Sequence, residues 1–205
     1  MEVLAKVEIP VGSTNGRSSK RRGRILRALH DCVIEKGYAK TTLADVARGA
    51  GMSSSHLLYY FRGKDAILEH YFEEMAGRLL ERIDSFRTER PERQIDLLSE
   101  LFFTGKAMSI SEIGFMLECF GAAVHDEKLH REKSELDRAF KKYLAELFQQ
   151  SPSGSANAAN TAEIAYSMLI GLLTVAFFDE RLGLPKARSL FSAEMQRLAN
   201  PDRPD

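Results

Sequence analysis

Two groups of side chains in this 205-residue chain have types and spacings that could do chemistry. The first is Cys119 with His125 and His130, a thiol and two imidazoles in a short span, the raw material of a nucleophile with its base or of a metal site. The spacing argues against both. Cys119 and His125 are six apart and fall on different faces of a helix, Ala122-Ala123 supply no acidic orienter, and there is neither a paired metal spacing nor a nucleophile elbow. One buried thiol and two surface histidines are the simpler reading, so no catalytic residue, metal or cofactor is expected and a hydrolase is kept only as a second, weaker alternative. The second group is Thr42, Arg48, Ser53, Ser54, Ser55, His56, Tyr59 and Lys64, with Arg22 in the preceding basic run Lys20 to Arg24. Ser54, Ser55 and His56 are compact donors and acceptors suited to base edges, while hydroxyl, phenol, guanidinium and ammonium groups suit phosphate oxygens. Lys64 is expected to start a helix, where the dipole opposes a cation by about 0.3–1 kcal/mol, a conflict that a nearby phosphate would remove.

The elements that must position this second group read as helices. Ile25, Leu26, Leu29, Cys32 and Val33 make one apolar stripe that stops at Gly37, a C-terminal glycine. Thr42 and Asp45 form a capping-box variant opening a helix to about Ala50. Gly51-Met52-Ser53 then gives a tight turn and a fresh cap for a short helix from Ser54 to about Tyr60. Two short helices joined by a three-residue turn containing Gly make a helix-turn-helix. At 100° per residue, Leu57 and Phe61 share one side and Ser55 and Tyr59 the other, with His56 between.

A long helix from near Lys64 through Ile83 follows, then helical patterns at about 92–105, 109–124 and 127–149, with Pro91 suited to a first turn. SPSGSANAAN at 151–160 reads as a linker, Asn160 and Glu163 as caps of an apolar helix to about Leu182, and Pro185 as the start of the last helix. No alternating strand pattern occurs.

Composition bounds the function. Hydrophobic residues at 44% and charged residues at 28% exclude disorder throughout. Cys32 and Cys119, 87 positions apart, point to a reducing compartment. The N-terminus lacks the apolar core of a signal peptide, and the apolar stretch Ile164 to Phe178 is short for a bilayer, so a cytoplasmic protein with no membrane partner is expected. The net charge of zero conceals an asymmetry. Residues 1–64 hold 12 Lys/Arg and 5 Asp/Glu, and residues 65–205 hold 17 and 24. The basic end contains the second chemical group, which predicts a phosphate-facing head on an acidic body.

The segment TLADVARGAGMSSSHLLYYFRGKDAIL at 42–68 resembles the DNA-binding region of TetR-type transcriptional regulators: Thr42, Val46-Ala47, Ala50-Gly51-Met52-Ser53, Tyr59-Tyr60-Phe61 and Lys64 stand where that pattern has them. Leu58 departs from it, since the family often has Tyr there as a phosphate contact. FMLECFGAAVHDEKLHRE and GLLTVAFFDERLGLPKARSLF resemble, more loosely, the second domain of the choline-responsive betaine-pathway repressor branch. The resemblance implies an all-α protein with an N-terminal three-helix helix-turn-helix domain and a larger helical ligand-binding and dimerisation domain. It implies a regulator, a repressor released from its double-stranded DNA operator by a small-molecule effector. A helical sensor that binds no DNA is the alternative.

The expected domains are a flexible arm at 1–18, the DNA-binding domain at 19–64, the second domain at 65–199 and a tail at 200–205. Flexible Met and flat aromatics suit an adaptable cavity, which makes Phe102, Met108, Phe115, Met116, Cys119, Phe120, Phe140 and Tyr166 the expected ligand residues. A homodimer is expected through the last two helices, with Met168, Leu172, Val175, Leu190, Phe191 and Met195 at its interface.

Overall fold

Helical periodicity of the apolar residues carries through to the computed structural model, which describes residues 17–152 and 157–200. The expected arm up to residue 16, the middle of the expected linker and the tail from 201 lie outside the described residues. Among the described residues the regular elements are nine helices: α1 (Arg17–Lys36), α2 (Leu43–Gly49), α3 (Ser54–Leu58), α4 (Lys64–Asp84), α5 (Pro91–Phe103), α6 (Ile110–Ala123), α7 (Glu127–Gln150), α8 (Ala158–Phe178) and α9 (Gly183–Ala199). The all-α class stands.

Local chemistry explains most boundaries. α1 buries Ile25, Leu26, Leu29 and Val33 and ends at Gly37, whose φ of 80° is a left-handed conformation that suits glycine. Pro91 occupies the first turn of α5, where no N–H is needed. α8 begins at Ala158, so Asn160 sits inside its first turn instead of capping it, and α9 begins at Gly183, two residues ahead of Pro185.

The chain forms two compact units, and they do not divide at Lys64. The head unit takes the described residues up to Arg78 together with 114–133, and the body unit takes 79–113 and 134 onward. In the head core, Ile25, Leu26, Leu29, Val46, Leu57, Ile67, Leu68 and Tyr71 pack with Phe115, Cys119, Ala123 and Leu129. A purely local reading of the helix-turn-helix misses the last four, because they come from α6 and α7.

In the body, α9 packs on α5 and α8, with Phe103 and Phe191 rings 5.2 Å apart. Phe102, Tyr143 and Tyr166 gather around Phe140, at ring separations of 5.7–6.2 Å. The buried polar groups here are satisfied: the Tyr143 hydroxyl donates to Gln94 Oε1 at 2.8 Å, and Gln94 Nε2 donates to the Glu89 carbonyl at 2.8 Å. Burial pushes the Tyr143 phenol well above its usual range.

α8 buries Ala162, Ala165, Tyr166, Leu169, Leu173 and Ala176. Its 21 residues are long and apolar enough to cross a bilayer, which corrects the shorter reading taken from Ile164 to Phe178, but that buried face belongs to the body core. The opposite face is left in water: Ile164 is 57%, Val175 47% and Phe178 73% exposed, with Leu190 of α9 also exposed.

Candidate functional site

The geometry of α2 and α3 is set by two caps and one turn. Thr42 is in an extended conformation, its hydroxyl oxygen accepts from the Asp45 N–H at 3.2 Å, and its own N–H donates to Asp45 Oδ2 at 3.0 Å. The full capping box is therefore present. Asp45 also receives Lys36 Nζ at 2.5 Å and lies 3.4 Å from Arg48 Nη1. The Lys36 bond, then the bonds from Thr42, hold its carboxyl well below the usual range. Gly51 turns the chain with φ of 67°, the Met52 N–H donates to the Ala47 carbonyl at 3.0 Å, and the Ser53 hydroxyl accepts from the His56 N–H at 3.2 Å.

Leu57 then fixes the rotation of α3. It is completely buried against the head core, which leaves Ser55, His56, Leu58 and Tyr59 facing solvent and Ser54 half-covered. Tyr59 is 83% exposed and packs edge-on against Tyr60, whose centroid is 5.3 Å away. Tyr60 is held in turn, because Arg21 Nη1 donates to its hydroxyl at 3.1 Å. Phe61 is buried, as expected of core. Thr42, Ser53, Arg48 and Arg22 are exposed in the same unit, so every residue expected to meet nucleic acid except Ser54 and Lys64 is open to solvent.

Lys64 departs from expectation. Its Nζ donates to the Tyr38 carbonyl at 2.9 Å and stands 4.1 Å from the centroid of the Tyr38 ring. The conflict with the α4 dipole is therefore met within the chain by these Tyr38 contacts. Tyr38 is the hub that the sequence reading missed. Its hydroxyl bonds to Asp65, its N–H donates to Glu118 Oε2 at 2.9 Å, and burial followed by the Asp65 bond pushes its phenol well above the usual range. An aromatic just after a C-terminal glycine is a detectable signal, since a hydrophobic contact often follows such a cap. Nothing local marks Glu118, 80 positions away.

The expected ligand residues are shared between the two units. Phe102, Phe140 and Tyr166 belong to the body's aromatic cluster, and Met108 is partly covered in the same unit. Phe115, Met116, Cys119 and Phe120 belong to the head unit. Phe115 is core there, 4.8 Å from the His30 ring and 4.7 Å from Tyr71, and Lys133 Nζ lies 4.3 Å from the centre of the Phe120 ring. Within the body a groove of about 790 Å³ lies beside Phe103, Pro185 and Arg188, and within the head one of about 370 Å³ lies beside His125 and His130. Neither is lined by an expected ligand residue. No disulfide joins Cys32 and Cys119, and no metal-binding group of His, Cys, Asp or Glu occurs among the described residues.

The expected interface residues also divide. Val175 and Leu190 are exposed and Met168 and Leu172 partly covered, but Phe191 and Met195 are buried in the body's own core and are corrected to packing residues. Ile164 and Phe178, which the sequence reading did not assign to the interface, complete the exposed stripe.

Comparison with known proteins agrees with this architecture. Residues 25–71 match the family described as bacterial regulatory proteins, tetR family, and residues 91–200 match the C-terminal region described as BetI-type transcriptional repressor. The chain is 26% identical over 188 residues to the HTH-type transcriptional regulator BetI 2 of Chromohalobacter salexigens, covering 89% of this chain and 90% of that one. It is 25% identical over 181 residues to BetI of Escherichia coli, covering 85% and 92%. Among solved structures, a transcriptional regulator from Rhodococcus superposes with a TM-score of 0.77 at 17% identity, covering 86% of this chain and 95% of that one. A candidate transcriptional regulator from Saccharomonospora viridis, in complex with choline, superposes with a TM-score of 0.79 at 17% identity, covering 87% and 96%.

Proposed function

This chain belongs to the tetR family of bacterial regulatory proteins, and on that premise we propose that it is a sequence-specific DNA-binding transcriptional repressor released from its operator by a small-molecule effector. The observation that carries this reading is the rotation of α3: one fully buried leucine anchors a helix whose remaining face is open to solvent on a doubly capped frame. Ser54, Ser55 and His56 read base edges in the major groove. Thr42, Ser53, Arg48, Tyr59 and Arg22 hold phosphates and set the register. Lys64 acts through Tyr38 as a positioning residue.

The working form is a homodimer. The exposed stripe of Ile164, Val175 and Phe178 on α8, with Leu190 on α9, is an apolar face that a second copy would cover. Two heads then meet half-sites about 34–36 Å apart, or a multiple of that. Acting on the chromosome places the protein in the cytoplasm. An effector that favours a conformer with mis-spaced heads lowers operator affinity, and DNA lowers effector affinity by the same factor. The body's aromatic cluster, with Asp137 bonded to Tyr166, suits a cationic effector, and choline, bound in the S. viridis structure, is the first compound to test by thermal shift.

The decisive experiment is titration of the full-length protein onto duplexes from around its gene, with an unrelated duplex as control. Discrimination by at least a hundredfold at physiological salt is expected, and equal binding to both overturns the reading. Raising salt from about 50 to 200 mM weakens operator binding at least tenfold, and a flat response refutes the phosphate assignments.

A further inference from the structure

We infer that Leu58 is a specificity-determining residue that reads the C5-methyl group of a thymine in each operator half-site. This rests on the DNA-reading role of α3 proposed above and assigns it one base contact. The two leucines of α3 have opposite fates: Leu57 is completely buried, and Leu58 next to it is 49% exposed. Leu58 lies three and four positions after Ser55 and Ser54, so it continues the face on which those hydroxyls stand. Of the aromatics that follow, Tyr59 is exposed but is assigned to a phosphate above, Tyr60 is held by Arg21 and Phe61 is buried.

The face as a whole is short in base discrimination. Hydroxyls and one imidazole offer single hydrogen bonds, and no arginine stands on α3 to make a bidentate contact with guanine. Against that polar background an exposed aliphatic group has one matching feature on the floor of the major groove. Base edges there are donors and acceptors except for the thymine methyl. Burying that methyl against Leu58 favours A·T over G·C at one position without any hydrogen bond.

The test separates this contact from its neighbours. A preferred duplex is first selected from a random library with the full-length protein, and each thymine is then replaced in turn by deoxyuridine, which removes only the methyl. One symmetric pair of replacements is expected to weaken wild-type binding about fourfold per methyl. Leu58→Ala should bind the thymine duplex with that same loss and be indifferent to the replacement, while its circular dichroism and oligomeric state match the wild type. If every replacement is tolerated by the wild type, or if Leu58→Ala keeps the sensitivity, the assignment is overturned. If Leu58→Ala is weaker than the wild type by the same factor on the deoxyuridine duplex as on the thymine duplex, the assignment is also overturned, because the contact is then to the sugar and not to the methyl. If no sequence is enriched at all, the DNA-reading role itself falls, and this inference with it.

Discussion

Replacing Lys64 with Met keeps the length of the side chain and removes its charge, which separates two physical accounts of one residue. In the structure the ammonium group donates to the Tyr38 carbonyl at 2.9 Å and sits over the Tyr38 ring. A hydrogen bond from a charged donor contributes about 1.5–3 kcal/mol and a cation–π contact about 0.5–1 kcal/mol, opposed by about 0.3–1 kcal/mol from the α4 dipole. Because the pair is only part-buried, the lower end of each favourable range applies, and the net is about 1–2 kcal/mol. Thermal unfolding of free Lys64→Met should then fall by roughly 2–8 °C at equal protein concentration. DNA binding, followed by fluorescence anisotropy across a salt series, should keep the slope of log affinity against log salt. If Lys64 instead holds a phosphate, its removal leaves the free protein as stable as before and lowers that slope by about 0.9 per protomer. An unchanged melting temperature with a reduced slope would sink the clamp.

Two further outcomes are accessible. Asp45 has a depressed pKa in the fold, so its contribution is present above its unfolded pKa of about 3.9 and is lost as pH falls below it. Unfolding of the wild type should steepen below about pH 4 relative to Asp45→Asn, and parallel acid profiles for the two proteins would refute the capping assignment. Val175→Glu with Leu190→Glu alters only exposed positions, so sedimentation should show a dimer for the wild type and folded monomers for the double variant, and intact dimers of the variant would exclude this face.

The sequence made the caps legible because they are local. Thr42 to Asp45 and Ser53 to His56 each span three residues, and the stripe in α1 repeats within one helix. What it did not disclose depends on partners far along the chain. Lys64 looked like a cation in need of a phosphate because Tyr38 lies 26 positions earlier, and Glu118 lies 80 positions beyond Tyr38. α8 is apolar on nearly every side, so hydropathy alone could not tell which face α9 covers. Hydropathy therefore points to Phe191 and Met195 for an interface, whereas the exposed side chains are Ile164 and Phe178. The change of charge near Lys64 suggested a domain boundary there, yet packing carries the head unit on to Arg78 and adds 114–133.

That last feature bears on the order in which the protein is made. Leu129 leaves the ribosome 58 residues after Tyr71, and both are buried in the same core. A nascent chain that has emitted its entire helix-turn-helix has not yet emitted Phe115, Cys119, Ala123 or Leu129. The reading head seen here therefore cannot be complete until much of the acidic remainder has been synthesised. A fragment cut after Arg78, or a chimera joined there, would expose the apolar surface those residues cover. A graft that preserves the head must carry two stretches of sequence, 17–78 and 114–133, with whatever chain is needed to join them.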